Sequence, residues 1–187
     1  MISAVFHGAD SGWSGAFAQP RAVFSATEHH GVANVIAHAE RAAHDGYWSV
    51  LLLAYEAAPA MDAAMHTHAP GAFPLAWAAV FDHRAPAPPL APAELPAPPW
   101  TPLVSRAEYE RAVQRILAYI AAGDTYQVNY TFPMTCRAPG DLAAWYATLC
   151  AAQGAPYSCR IELPDHAVMC LSPELFFSRR GDVITAR

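Results

Sequence analysis

Residues 105–132 read SRAEYERAVQRILAYIAAGDTYQVNYTF, and this stretch sets the predicted fold. Ser105 and Glu108 have the spacing of a capping box, in which both side chains satisfy free backbone amides at the start of a helix. Apolar residues then recur on one helical face, and Gly123 is placed to end the helix. From Thr125 to Phe132 apolar and polar side chains alternate, which predicts a strand. The apolar positions of the helix are Tyr109, Val113, Ile116, Leu117 and Ile120.

The flanking sequence predicts two more helices and several strands. Apolar residues at helical spacing between Val32 and Ala39 predict a helix that ends at Gly46. Asp141 is placed to cap another helix, which ends at Gly154. Apolar runs between turn residues predict the strands Tyr47–Tyr55, Leu75–Phe81, Tyr157–Leu163, Ala167–Leu171, Leu175–Ser178 and Val183–Thr185. This order of elements predicts an α+β fold with a mainly antiparallel sheet.

A proline-rich stretch divides the predicted elements into two groups. Residues 85–102 read APAPPLAPAELPAPPWTP, and eight of these 18 residues are proline. Proline cannot donate the backbone hydrogen bonds of a helix or a central strand, and it favours extended, semi-rigid chain. The sequence therefore predicts an N-terminal lobe at 1–84, a linker at 85–102 and a second lobe at 103–187.

Composition excludes several classes of function. Of the 187 residues, 54% are hydrophobic and 14% are charged, which is typical of a folded domain and not of a disordered chain. The formal net charge is −5, which argues against nucleic-acid binding. All 11 basic residues among these 187 are arginine. The sequence therefore contains no lysine that could form a Schiff base or bind phosphate in a phosphate-binding loop. No secretory signal and no apolar run long enough to span a bilayer is present, so we expect a cytoplasmic protein with reduced thiols.

Two polar groups are candidates for chemistry. Gln127 and Asn129 lie on the polar face of the predicted Thr125–Phe132 strand, where their amides could hold a polar ligand in a cleft. Ser172 and Glu174 follow another predicted strand, and partial burial there would suit the carboxylate to proton transfer. On pattern alone, a solvated sheet face and a solvated strand end are the favoured explanations of these residues.

Histidines and cysteines give weaker signals. His66 and His68 have a spacing seen in some metal sites, but no carboxylate completes the set, so no metal site is predicted. The four cysteines form no CxxC pair, which argues against structural zinc. A turn at Pro164-Asp165 places Cys159 opposite Cys170 across the predicted hairpin, and two reduced thiols are expected there.

Three segments of the second lobe resemble the chorismate-utilising enzyme family. They are YERAV at 109–113, IAAGDTYQVNYT at 120–131 and SPELFF at 172–177. In the first lobe, GYWSVLLLAYEAAPAMD at 46–62 is similar to the folate-pathway members of that family. The resemblance implies antiparallel sheets packed as a sandwich with outer helices, incomplete in this chain.

The resemblance also implies a reaction. Chorismate would be aminated to 4-amino-4-deoxychorismate for the synthesis of 4-aminobenzoate and folate. Ammonia would come from a separate glutamine amidotransferase subunit, and Mg²⁺ would hold the chorismate carboxylate. Glu174 matches the family's general acid/base near the departing hydroxyl, and Gln127, Asn129 and Ser172 are assigned to substrate binding. Relatives that add water carry a lysine base at the position of Gln127, and glutamine cannot take a proton from water.

The family's proposed lysine nucleophile and its magnesium carboxylates are expected beyond Arg187. We therefore expect the N-terminal portion of a longer enzyme, inactive by itself. One alternative is an anthranilate-forming member of the family, although only Pro156-Tyr157 remains of the tryptophan-binding loop typical of those enzymes. Another is a truncated, non-catalytic module that binds a glutaminase-type partner.

Overall fold

The computed structural model describes residues 1–8, 12, 14–95, 97–138 and 140–186. Pro96 of the predicted linker and Arg187 of the predicted second lobe lie outside the described residues. In chain order the elements are β1 (Ser3–Gly8), β2 (Gly15–Ala18), β3 (Ala22–Ala26), α1 (His29–His44), β4 (Trp48–Leu53), a 3₁₀ helix (Tyr55–Ala60), β5 (Ala76–Phe81), β6 (Thr101–Pro102), α2 (Arg106–Ala122), β7 (Met134–Thr135), α3 (Leu142–Gln153), β8 (Tyr157–Glu162), β9 (Ala167–Ser172), β10 (Ser178–Arg180) and β11 (Val183–Thr185).

Two compact units make up the chain, and they follow a different division from the predicted lobes. One unit contains Met1–Ala91 together with Leu149–Arg187, and the other contains Pro92–Thr148. The physical reason is strand pairing between distant parts of the sequence. Strand β8 pairs antiparallel with β1, so that Glu162 lies opposite Ser3 and Tyr157 opposite Gly8. The predicted second lobe therefore contributes strands to the sheet that the N-terminus begins.

The first unit contains a four-stranded sheet and a three-stranded sheet. The four-stranded sheet has the order β2-β1-β8-β9, and the three-stranded sheet has the order β3-β5-β4. A separate short hairpin joins β10 to β11. Every strand pairing in the described part of the chain is antiparallel. Together with the three α-helices, these sheets confirm the predicted α+β class.

The two larger sheets share one apolar core. Ala4 and Phe17 from the four-stranded sheet, with Ile161 of β8, cluster with Trp77 and Phe81 of β5. The rings of Phe17 and Phe81 lie 5.4 Å apart between centroids. Burial of these large apolar side chains supplies the main favourable term that holds the sheets together.

Helix α1 packs on the opposite face of β5. Val32 and Val35 of α1 share a second buried cluster with Ala76 and Ala78 of β5. Because neighbouring residues of a strand point to opposite faces, Trp77 and Phe81 of β5 face the four-stranded sheet, while Ala76 and Ala78 face α1. All six residues of β5 are therefore buried. A Cβ atom on Gly31 would come within 2.9 Å of Ala26 Cβ, so glycine permits the close approach of α1 to β3.

The helices and the buried strands of the first unit agree with the sequence predictions. Helix α1 and strands β4 and β5 lie within the predicted regions. Strands β8 and β9 form the predicted hairpin, and its register places Cys159 opposite Cys170 as expected. Strands β1, β2 and β3 were not predicted. β1 and β2 form a local hairpin, whereas β1 also pairs with the distant β8 and β3 pairs with β5.

Two predicted strands are wrong. Residues 125–132 form no strand and belong to no sheet in the described structure. The stretch 175–177 is also irregular, and the strand β10 begins only at Ser178.

Among the described helices, none has the length and apolar character needed to cross a membrane.

The shared core gives a direct test of the fold. We expect Phe81→Ala to lower the free energy of unfolding by about 3–5 kcal/mol, because a fully buried ring would leave a cavity between the sheets. Phe176, which is 88% exposed, provides the matched control, and Phe176→Ala should change stability by less than about 0.5 kcal/mol. Urea denaturation followed by tryptophan fluorescence measures both variants. Equal effects of the two substitutions would contradict the assigned core.

Candidate functional site

Helix α2 begins with the predicted capping box. The Glu108 backbone N–H donates to Ser105 Oγ at 3.2 Å, and the Ser105 N–H donates to Glu108 Oε2 at 2.9 Å. The Ser105 hydroxyl also donates to Glu108 Oε2 at 2.6 Å. These two hydrogen bonds from Ser105 favour the charged carboxylate and lower the pKa of Glu108. At the other end Gly123 adopts φ +82°, the left-handed conformation that closes the helix.

The segment that follows α2 carries two of the predicted site residues. Tyr130 and Phe132 pack against Tyr109 of α2, each with a centroid distance of 5.8 Å. The Gln127 amide donates from Nε2 to Asn129 Oδ1 at 3.4 Å, and both side chains are exposed. Gln127 and Asn129 therefore contact each other, although the segment forms no sheet and Tyr126 of its predicted apolar face is 91% exposed.

A groove lies between α2 and this segment. It has a volume of about 500 Å³ and is lined by Glu108, Arg111, Ala112, Arg115, Ile116, Val128 and Tyr130. Arg111 and Arg115 are four residues apart, which places both guanidinium groups on one side of the helix. Guanidinium groups bind carboxylates and phosphates well, so this groove has the chemistry to bind a small anion.

This arginine pair was not among the residues predicted from the sequence. Its signal is the Arg-x₃-Arg spacing within an amphipathic helix, next to a segment of alternating residues. The predicted apolar face of α2 is present in sequence, but the helix has no buried residue. Leu117 is 52% exposed and Tyr109 is 42% exposed.

Ser172 and Glu174 form a tight turn directly after β9. The Ser172 hydroxyl donates to the Glu174 carbonyl oxygen at 2.7 Å, and the Glu174 N–H donates to Ser172 Oγ at 3.3 Å. The hypothesis of a partly buried carboxylate is wrong for this structure, since the Glu174 side chain is exposed. The apolar residues 175–177, which were predicted to begin a strand, form none, and Phe176 is 88% exposed.

The four predicted site residues lie in two different units. Gln127 and Asn129 belong to the Pro92–Thr148 unit, while Ser172 and Glu174 belong to the other. Within each unit, the structure brings the two members of the pair into hydrogen-bonding contact. The serine hydroxyl is used to shape the turn, so its direct role is to fix the backbone from which the Glu174 side chain projects.

The described residues do not fit a magnesium site. Mg²⁺ prefers several oxygen ligands, usually including carboxylates, in near-octahedral geometry. No group of three or more His, Cys, Asp or Glu side chains is close enough to hold a metal ion within the described ranges. No chemical step in this part of the chain is therefore assigned to a metal.

Comparison with known proteins identifies a family. A family model described as chorismate binding enzyme matches residues 3–187, which is nearly the whole chain. This match includes both compact units and all four predicted site residues.

Curated relatives share shorter regions with the chain. Aminodeoxychorismate synthase component 1 of Klebsiella aerogenes is 40% identical over 87 residues, which are 46% of this chain and 19% of that protein. The protein of the same name from Bacillus subtilis is 34% identical over 79 residues, 42% of this chain and 17% of that protein. The 2-amino-4-deoxychorismate synthase of Streptomyces globisporus is 33% identical over 75 residues, 40% of this chain and 15% of that protein. Each match therefore spans less than a fifth of the relative's length.

The capping box predicts a measurable pKa change. We expect Ser105→Ala to raise the pKa of Glu108 towards its ordinary value, because both the serine hydroxyl and the cap geometry are lost. The folded-state pKa is lowered, so the cap stabilises α2 fully above the ordinary carboxyl pKa and is lost as pH falls through the lowered value. Carboxyl NMR titration measures the shift, and amide exchange in the first turn of α2 should become faster.

Gln114→Ala is the control for this substitution, because Gln114 is exposed and lies in the middle of the same helix. It should leave both the titration of Glu108 and the exchange of the first-turn amides unchanged. An identical Glu108 titration in wild type and Ser105→Ala would contradict the assigned cap.

Proposed function

Because this chain belongs to the chorismate binding enzyme family, we propose that the protein aminates chorismate to 4-amino-4-deoxychorismate. The observation that carries the proposal is the 31–40% sequence identity, over part of this chain, to four relatives named aminodeoxychorismate synthase component 1. In this reaction ammonia forms a C–N bond at carbon 4 of chorismate, and the hydroxyl group at that carbon leaves as water. The product would serve the synthesis of 4-aminobenzoate and folate.

Glu174 is our candidate for the proton donor. Hydroxide is a poor leaving group, so a positioned acid that gives its proton to the departing oxygen lowers the barrier. The turn held by Ser172 fixes the backbone of Glu174 and leaves its carboxyl group exposed and free to reach a substrate. After the hydroxyl has left as water, the resulting carboxylate can accept the proton that the bound ammonia releases.

Gln127, Asn129 and Ser172 are our candidates for substrate binding. The two amides can donate to carboxylate or hydroxyl oxygens of a polar substrate and accept from its hydroxyl groups. A glutamine at position 127 has no basic lone pair that would activate water, which favours ammonia as the nucleophile.

The wider assignment follows from the same proposal. We propose a glutamine amidotransferase subunit as the source of ammonia, in agreement with the component 1 designation of the relatives. The Mg²⁺ ion expected for chorismate binding would have its ligands outside the described residues. We assign the two packed antiparallel sheets to the family's sandwich, and we propose a cytoplasmic location.

Substitution of Glu174 tests the proposed acid. We expect Glu174→Gln to reduce ammonium-dependent consumption of chorismate by the full-length gene product at least about 100-fold, since general acid catalysis contributes about 10²–10⁴-fold. The matched control is Glu40→Gln, because Glu40 is exposed on α1 and lies away from the turn. It should retain wild-type activity. Chromatography of the products, with chorismate and ammonium as substrates, measures all three proteins.

Product analysis separates the competing functions. A 4-amino product supports the proposal, whereas a 2-amino product would indicate the activity for which the Streptomyces globisporus relative is named. Fluorescent anthranilate would indicate the anthranilate-forming alternative. Full activity of Glu174→Gln would overturn the role of Glu174 without affecting the assigned reaction, and complete absence of amination in wild type would overturn the reaction itself.

A further inference from the structure

Two cysteines face each other across the β8–β9 hairpin. Cys159 of β8 lies directly opposite Cys170 of β9 in the antiparallel register. Directly opposite residues have side chains on the same face of the sheet. Both thiols are free in this structure. The proposed amination uses neither of them, so their juxtaposition calls for a separate explanation.

The hairpin brings the two cysteines within reach of a reversible disulfide. The Leu163 N–H donates to the His166 carbonyl at 2.8 Å, which makes these residues a hydrogen-bonded pair. Hydrogen-bonded pairs recur at every second position along an antiparallel ladder. Cys159 lies four positions before Leu163, so Cys159 and Cys170 also form a hydrogen-bonded pair. Their expected Cα separation of about 5.5 Å lies within the range of disulfides, about 4.4–6.8 Å. Their expected Cβ separation lies towards the upper end of about 4.5–5.5 Å, which is longer than the roughly 3.5–4.5 Å of a relaxed disulfide, so the strands must move closer together and the resulting bond should be easily reduced.

The two thiols differ in exposure. Cys170 is exposed on β9, which is an edge strand of the four-stranded sheet as far as that sheet is described. Cys159 packs against the apolar core between the sheets and is only partly accessible. An oxidant from solvent therefore reaches Cys170 first. Cys159 lies beside Cys170 on the neighbouring strand, where its thiolate can attack the oxidised sulfur of Cys170.

We propose that Cys159 and Cys170 are a modification site, at which a small-molecule disulfide such as oxidised glutathione is reduced as the pair forms a cross-strand disulfide. The Cys170 thiolate attacks one glutathione sulfur, which forms a mixed disulfide and releases one glutathione thiolate. The Cys159 thiolate then attacks the sulfur of Cys170, which forms the protein disulfide and releases the second glutathione. The two protons lost by the cysteines go to the two glutathione thiolates, so two thiols are oxidised and one disulfide is reduced.

The second step is the slow one. Burial raises the pKa of Cys159 to about 12, and Cys170 on β9 and Cys150 on α3 are the other titratable groups that act on it. Only the thiolate attacks a disulfide, and its fraction rises about tenfold for each pH unit below the pKa. The mixed disulfide on Cys170 should therefore accumulate at neutral pH and convert to the cross-strand disulfide faster at higher pH.

Mass spectrometry of the native protein tests the site. After incubation with oxidised glutathione at pH 7 and pH 8, we expect a transient glutathione adduct on Cys170. It should be followed by a species lighter than the starting protein by two hydrogen atoms. Peptide mapping should link Cys159 to Cys170, dithiothreitol should reverse the change, and resolution of the adduct should be about tenfold faster at the higher pH.

Single substitutions separate the two steps. Cys159→Ser, or Cys159→Ala if the first variant does not fold, should hold the adduct on Cys170 permanently. Cys170→Ser should give neither adduct nor disulfide within the hairpin, and Cys136→Ser should behave as wild type. The proposal is overturned if wild type keeps both thiols reduced, if the adduct never resolves, or if Cys170 links to Cys136 or Cys150 instead.

Discussion

Burial of β5 on both faces is the constraint on which the rest of this structure depends. Trp77 and Phe81 fill the space between the two sheets, while Ala76 and Ala78 give α1 a flat surface on the other side. A strand covered on both faces needs apolar residues throughout, which explains the continuous run at this position. Small residues towards the helix and large residues towards the sheets set the spacing of three layers at once.

The second constraint is the pairing of β1 with β8. It brings the N-terminal strands and the β8–β9 hairpin into one sheet, although the proline-rich stretch lies between them in sequence. The turn at Ser172 follows β9 directly, so the position of Glu174 depends on a sheet that the first residues of the chain help to build. The proposed acid therefore follows a sheet to which widely separated parts of the sequence contribute strands.

Local signals predicted much of the structure. The α2 capping box, the Asp141 cap of α3 and the Pro164-Asp165 turn each concern residues a few positions apart, and all three are present. Strand pairing between distant segments was not predictable in this way, because alternation shows which residues share a face but not which strand lies alongside. This is why the pairings of β1 with β8 and of β3 with β5 were missed, and why residues 125–132 were predicted to form a strand.

The β1–β8 pairing also has a consequence for the order of folding. Strands β1 and β2 leave the ribosome long before Tyr157–Glu162 is made, and at 5–20 residues per second that delay is on the order of ten seconds. During this time the apolar side chains Ala4 and Phe17 have no third strand beside them. The strands of the three-stranded sheet are closer together in sequence than β1 and β8 are, so this sheet and α1 can form earlier. The β1–β2 hairpin can then pack against this sheet before β8 is synthesised. Synthesis from the N-terminus thus favours formation of the three-stranded sheet first and completion of the four-stranded sheet last.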